Sequence, residues 1–244
     1  MKKGNIDYGL LISVILISVF GIIMIYSASY VWAEYKFHNP FKFVINQGVF
    51  FLLGLAFMYI ISKIDYHLYY EKATPLIITC FILLVLVLIP GVGTVRNGSR
   101  SWFGIGSFGI QPSEFMKLAL IIFTAKYLVK NEKMMTNIKK GVLPILGLTL
   151  LVFGIIMLQP DFGTGMIIVM SIMGLIFVGG VPFRFFLRMG MLGMAGIVGL
   201  IAVAPYRLER ILSFLNPWKD PLGSGFQIIQ SLYAIGPGGL FGYG

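Results

Sequence analysis

Acidic residues are scarce in this chain, and cysteine is almost absent. Nine Asp and Glu stand against nineteen Lys and Arg, charged residues fill only 11% of 244 positions, and 58% are hydrophobic. A soluble domain carries about 25% charged residues and about 45–50% apolar ones. With a mean hydropathy of +0.91, too little polar surface remains to coat a water-soluble globule, so lipid must be the solvent for most side chains. The single cysteine, Cys80, sits inside an apolar run. That excludes a disulfide framework or a cysteine metal site within the chain and leaves Cys80 as a small packing residue. His38 and His67 are isolated, with no partner at metal-ligand spacing. No phosphate-binding GxxxxGK[ST] loop and no GxSxG elbow occurs, which argues against an ATP-driven pump and a serine hydrolase. The net charge of +10 does not signal nucleic acid, because the basic residues cluster between apolar runs and form no continuous stripe.

What is present is a series of hydrophobic spans. Seven are expected: Tyr8–Ser27, Gln47–Ser62 (extending back toward Phe43), Ala73–Pro90, Pro112–Val129, Val142–Leu158, Gly163–Gly180 and Met189–Ala204. Met1-Lys2-Lys3 resembles the start of a secretory signal, but the first run is too long for one and further spans follow, so it reads as an uncleaved helix. With the N-terminus cytoplasmic, eleven Lys and Arg fall inside and seven outside, and Lys117 lies within a span. The bias favours that orientation, with the segment from Lys126 to Lys140 its strongest vote. Residues 1–244 thus read as a single transmembrane domain, all-α and polytopic. Its outer loops fall at about 91–111 and 206–244, with a short one at Gln159–Phe162. Pro217, Pro221 and Gly223 rule out a regular helix in the last loop, and Phe226–Leu232 reads as a short interfacial or re-entrant helix.

Few ionisable residues lie near the spans, and each has two readings. Glu114 and Lys117 are three apart and share a helical face. They form either a structural ion pair or the lining of a polar cavity. Asp161, in Gln159-Pro160-Asp161-Phe162-Gly163, is either a helix N-cap or a functional acid converging with Glu114 or Lys117. Asp220 is either an ordinary turn aspartate before Pro221 or a base. Arg207 and Arg210 precede it, Trp218 can stack on a sugar face or anchor at the interface, and Gly223 and Gly225 permit close backbone approach. A carboxylate beside arginines suits chemistry on a phosphorylated carbohydrate.

The stretches PGVGTVRNGSRSWFGIGSFGIQPSEFMKLALI from Pro90, QPDFGTG from Gln159 and APYRLERILSFLNPWKDPLGSGFQIIQSLYAIGPGGLFGYG from Ala204 resemble the shape, elongation, division and sporulation (SEDS) family. The likeness is greatest to its sporulation and division branches in endospore-forming Gram-positive bacteria. It implies a polytopic fold of about ten spans, of which this sequence holds seven. Later family segments resembling TDFIFA and GLTLPLISYGGSS are absent from these residues, so 1–244 read as an N-terminal portion expected to be inactive alone. The resemblance also implies a peptidoglycan glycosyltransferase of the bacterial cytoplasmic membrane. Such an enzyme polymerises lipid II at the outer leaflet beside a class B penicillin-binding protein, for cell division, cell shape or sporulation. Matched by motif, Asp220 corresponds to the family's essential acid, Trp102 to an essential tryptophan, Glu114 and Lys117 to a buried charged pair, and Asp161 to a polar residue of the central cavity.

The family's product is β-linked from an α-linked donor, so the displacement inverts. By analogy with inverting glycoside hydrolysis it needs a base on the hydroxyl side and stabilisation of the leaving group on the other. Asp220 is the expected base. Arg207, Arg210 or a divalent cation (Mg or Mn) would neutralise the pyrophosphate. Two other classes stay open: a lipid II flippase using Glu114, Lys117 and Asp161, and a scaffold that recruits the transpeptidase. Only the polymerase needs an acid in an outer loop.

Overall fold

The computed structural model describes residues 6–96, 98–104, 109–203 and 214–236, with side chains as far as 195 and again from 214. The chain is an all-α, multi-pass membrane protein. Each expected span contains a long helix: α1 (Tyr8–Phe37), α2 (Lys42–Ser62), α3 (Tyr66–Leu86), α4 (Pro112–Lys130), α5 (Leu143–Met157), α6 (Phe162–Val178) and α7 (Phe183–Val203). A short α8 (Phe226–Ile235) follows, where the sequence predicts an interfacial helix. Among the described residues, four helical stretches are long and apolar enough to cross a membrane by length and composition alone: α1, α2, α3 and Ile138–Met157. Charges at Glu114, Lys117, Lys126 and Lys130 dilute α4, and α6 has only 17 residues.

The chain forms two compact units, Met1–Ile64 with Tyr206–Gly244, and Asp65–Pro205. In the first, α1 begins where the Asp7 carboxylate accepts the Leu10 N–H at 3.0 Å, an N-cap that satisfies an otherwise orphaned donor. Its 30 residues span about 45 Å, more than the ~30 Å hydrocarbon core. The surplus is Tyr30, Trp32, Tyr35 and Lys36, residue types that settle at a lipid–water interface. The helix therefore runs ten residues past the predicted Ser27, because an aromatic, basic end lowers hydropathy without breaking a helix. His38 ends it in the left-handed conformation, φ 51°. Across the turn, Tyr26 stacks on Phe41 with centroids 5.3 Å apart, and Lys42 Nζ lies 3.3 Å from the Phe37 ring centroid. Ala33 is the one buried residue of α1 and none of α2 is buried, as expected of helices facing lipid. Their hydroxyls turn inward: Ser13, Ser18 and Ser29 each donate to the carbonyl four residues earlier, at 2.8, 2.7 and 2.6 Å. No polar atom of these serines is then left for hydrocarbon to solvate.

The second unit has a true interior. Leu84 of α3, Met116, Ala119 and Leu120 of α4, Ile145, Val152 and Ile156 of α5, and Ile168, Ile172 and Ile176 of α6 are buried together. Their three-and-four spacing is one apolar stripe per helix. Helix α6 packs closely on α5 at Gly165, where a Cβ would come within 3.0 Å of Phe153 and Met157. Phe177, Phe185 and Phe186 interlock edge to face at the α6–α7 turn. Pro75 inside α3 has no N–H to give the Glu71 carbonyl, and Lys126 Nζ of α4 approaches that oxygen at 3.5 Å.

The α3–α4 loop, read from sequence only as a glycine-rich outer segment, contains an antiparallel hairpin of β1 (Thr94–Arg96) and β2 (Ser99–Trp102). In α6, the open face of Gly174 meets nothing within 4 Å, so Gly174→Ala should leave stability in detergent near wild type. Gly165→Leu should lower it by about 1–3 kcal/mol through overpacking. Equal denaturation midpoints for the two variants would contradict the described α5–α6 packing.

Candidate functional site

At the end of the second unit where α4 begins, several polar residues meet. The hairpin is rooted at Gly93, which passes so close to Val87 that a Cβ would lie 1.8 Å from its carbonyl oxygen. Thr94 Oγ1 donates to the Trp102 carbonyl at 3.0 Å. Phe103 and Ile110 exchange both main-chain hydrogen bonds, at 2.8 and 2.7 Å. Trp102, half-buried, carries the Arg96 guanidinium over its ring at 5.1 Å. That guanidinium also lies against Gly109, where a Cβ would come within 2.6 Å of Nη1. This cation–π pair fixes one face of the indole.

The hairpin is tied to the helix ends by side chains that the sequence did not single out. Ser99 Oγ donates to the Gln159 carbonyl, joining residues 60 positions apart. Gln159 itself is fully buried, and its Nε2 donates to the Leu84 carbonyl at 3.1 Å near the end of α3. Next to it, Asp161 caps α6 through Oδ1, which accepts the Thr164 N–H at 3.2 Å. Its Oδ2 accepts from Gln111 Nε2 at 2.8 Å, at the start of α4. Asp161 thus is an N-cap, and it also bridges two helices. A glutamine at the very end of an apolar run was the available signal. Gln159 Oε1 and Ser113 Oγ are buried with no partner among the described residues.

One turn into α4, Lys117 Nζ and Glu114 Oε2 form an ion pair at 2.8 Å. The pair exists as the i, i+3 spacing predicts. It is not enclosed by the described residues, however: the Glu114 side chain is 53% exposed and that of Lys117 24%. Buried neighbours at Met116, Ala119 and Leu120 occupy the other face of α4, which turns the pair outward. It lines an open depression of about 210 Å³ with Phe115 and Leu118.

Asp220 and Trp218 belong to the first unit and are described there alone. Arg207 and Arg210 lie outside the described residues. After the short 3₁₀ turn Pro217–Lys219, the Asp220 carboxylate folds back over its own loop. Oδ1 accepts the Gly223 N–H at 3.2 Å, and Oδ2 accepts the Ser224 N–H at 2.8 Å and its hydroxyl at 3.2 Å. Two glycines make this possible. A Cβ on Gly223 would lie 2.2 Å from Asp220 Oδ2, and one on Gly225 would lie 2.0 Å from the Pro217 carbonyl oxygen. The Ser224 N–H, first, holds the Asp220 carboxyl below its ordinary value; burial opposes it, and the Ser224 hydroxyl and the Gly223 N–H add smaller lowering effects. Hydrogen bonds to the charged form lower an acid's pKa. Asp220 is therefore a turn aspartate by geometry, and at the same time an exposed, ionised carboxylate. Trp218 is 52% exposed and packs edge-on against Tyr233 of α8, with centroids 5.7 Å apart. Among the described residues no three His, Cys, Asp or Glu side chains gather as metal ligands.

The family model described as cell cycle protein, FtsW/RodA/SpoVE, matches residues 8–244. The chain is 54% identical to stage V sporulation protein E of Bacillus subtilis (strain 168), over 100% of the chain and 66% of that protein. It is 40% identical to a probable peptidoglycan glycosyltransferase FtsW of Trichlorobacter lovleyi, over 100% of the chain and 64% of the relative. The chain thus spans just under two thirds of the length of these relatives. Among solved structures it resembles a chain of a peptidoglycan synthase complex described as coordinating polymerization and crosslinking. The TM-score is 0.69 at 33% identity, covering 91% of this chain and 65% of that one. The crystal structure of the rod shape determining protein RodA of Thermus thermophilus aligns with TM-score 0.56 and 31% identity, covering 74% and 58%.

Two outcomes test the geometry. Gln159→Ala leaves the Leu84 carbonyl unmet and should cost about 1–3 kcal/mol. With Trp32 and Trp218 replaced by Phe, it should also make Trp102 fluorescence easier to quench with acrylamide. Unchanged quenching would mean that the Gln159 side chain does not position the main-chain carbonyl that Ser99 holds. Gly225→Ala forces the loop away from Pro217, so proteolysis between 217 and 225 should accelerate while the melting of the spanning helices stays the same.

Proposed function

The chain belongs to the FtsW/RodA/SpoVE family of cell cycle proteins, and from that premise we propose that the whole protein is a peptidoglycan glycosyltransferase that polymerises lipid II. The reading rests above all on Asp220, an exposed and ionised carboxylate on a glycine-built turn outside the spanning helices. Membrane interiors exclude such a group, so a loop is where an acid can serve chemistry on a lipid-linked sugar. We assign the N-terminus to the cytoplasm and the Asp220 loop to the outer face of a bacterial cytoplasmic membrane. The partner is a class B penicillin-binding protein that crosslinks the glycan, in division or sporulation.

In the reaction, the C4 hydroxyl of the acceptor sugar attacks C1 of the donor. The O4–C1 bond forms, the bond from C1 to the pyrophosphate oxygen breaks, and configuration inverts. The hydroxyl proton passes to Asp220. Oδ1, which accepts a single hydrogen bond against two at Oδ2, has the freer lone pair to receive it. A carboxylate held below its ordinary pKa is fully ionised at neutral pH but weakly basic. It therefore takes the proton late, once the forming O4–C1 bond has acidified the hydroxyl. Arg207 and Arg210 neutralise the leaving group; an Mg or Mn ion bound to the pyrophosphate would supply the same positive charge. Trp102 and Trp218 offer aromatic faces to the sugars, and Glu114, Lys117 and Asp161 line the substrate path.

The test uses the full-length protein in detergent with lipid II, with glycan strands resolved on a gel. Asp220→Asn should lower the rate by about 10²–10⁴-fold, and an unchanged rate would remove Asp220 as the base. Detergent has no second compartment, so a flippase or a scaffold would make no glycan there. Ser224→Ala removes one of the bonds that stabilise the Asp220 anion, and its pKa rises. The acidic limb of the pH–rate profile should shift to higher pH. A shift to lower pH, or none, would contradict the assignment.

A further inference from the structure

The other end of the second unit, where α3 begins and α4 ends, gathers positive charge from two separate stretches of sequence. Lys126 lies 5.1 Å from the centroid of the Tyr70 ring and reaches the Glu71 carbonyl that Pro75 leaves unmet, which brings Lys72 alongside α4. Tyr127 Oη donates to the Lys140 carbonyl at 3.3 Å. Gly141 approaches Met134 so closely that a Cβ would lie 2.2 Å from the Met134 carbonyl oxygen. Asn137 Oδ1 accepts the N–H groups of Lys139 and Lys140, at 3.1 and 3.3 Å, and so starts the π-helical turn Ile138–Val142. The segment from Lys126 to Lys140 is folded into a compact rim.

That rim carries Lys72, Lys126, Lys130, Lys133, Lys139 and Lys140. All but Lys126 are exposed, and among the described residues none of the six makes an ion pair. Glu71 and Glu132 are the acids interleaved among them. The α6–α7 turn, which meets α4 where Gly179 touches Leu128, adds exposed Arg184. Amid the cations Met134 stands 51% exposed and Val129 70% exposed. A loop that only set orientation would need a number of lysines and no particular arrangement of them. Here they are collected against mutual repulsion around an apolar tip, a combination suited to a surface that is anionic outside and apolar just beneath.

We propose that this rim binds the headgroups of anionic phospholipids, with the lysine ammonium groups on the phosphates and Met134 and Val129 in the acyl region. The inference is independent of the chemistry proposed for Asp220. It is tested in the full-length protein reconstituted in phosphatidylcholine, by electron paramagnetic resonance of spin-labelled phosphatidylglycerol and spin-labelled phosphatidylcholine at its surface. The wild type should prefer phosphatidylglycerol by at least about fivefold, and the preference should weaken with salt. Combining Lys130→Gln, Lys133→Gln, Lys139→Gln and Lys140→Gln should abolish it in protein whose helicity and orientation, checked by circular dichroism and protease accessibility, match the wild type. The double variant Lys36→Gln and Lys42→Gln, outside the rim, should keep it. No preference in the wild type, an undiminished one in the fourfold variant, or equal loss in the double variant would overturn the proposal.

Discussion

In hydrocarbon a polar group finds no water, so the main-chain N–H and C=O groups must be met by the protein itself. The rest of this structure follows from that constraint. Helices meet it for the main chain, and Ser13, Ser18 and Ser29 of α1 meet it by bonding back to their own helix. The places where a helix starts, stops or carries a proline are where the requirement becomes long-range. Pro75 frees the Glu71 carbonyl, and a lysine of the next helix turns to it. The end of α3 leaves the Leu84 carbonyl to Gln159, from beyond α5.

The same requirement builds the polar end of the second unit. Asp161 satisfies the first turn of α6 with one oxygen and holds Gln111 with the other, so the starts of α4 and α6 are fastened by one carboxylate. Ser99 fastens the hairpin to the same corner. These bonds hold Trp102 and the first turn of α4, with its ion pair, at one end of the second unit. Along α4 the chain passes from this polar corner, through a stripe of Met116, Ala119 and Leu120, to the lysine rim at Lys130. One helix thereby links two aqueous-facing ends of different character.

The Asp220 loop solves a different problem. The role proposed for Asp220 requires a carboxylate that stays ionised and accessible, and a loop rich in glycine provides both. Main-chain N–H groups stabilise the charge, while the missing side chains at Gly223 and Gly225 let the chain fold tightly beneath it. The bonds that keep the anion formed also weaken it as a base. That trade suits the proposed reaction, in which the proton leaves late.

The sequence by itself determined whatever depends on neighbours along the chain. Hydropathy located seven helices, the i, i+3 spacing paired Glu114 with Lys117, and Asp161 before small residues offered an N-cap as one of two readings. Pro217, Pro221 and Gly223 excluded a regular helix around Asp220, and the motifs identified the family. Helix ends were less legible: the aromatic end of α1 hid ten residues of helix, since an interfacial turn differs from a loop in packing and not in hydropathy. Only the tertiary structure decided which residues meet across the chain. It brought Ser99 to Gln159 and Lys126 to Glu71, formed the hairpin beneath Trp102, and turned the charged pair to the open face of α4. A polar side chain reveals in sequence that it needs a partner. The partner's identity is set by which helices pack together, through contacts 50 to 75 residues apart.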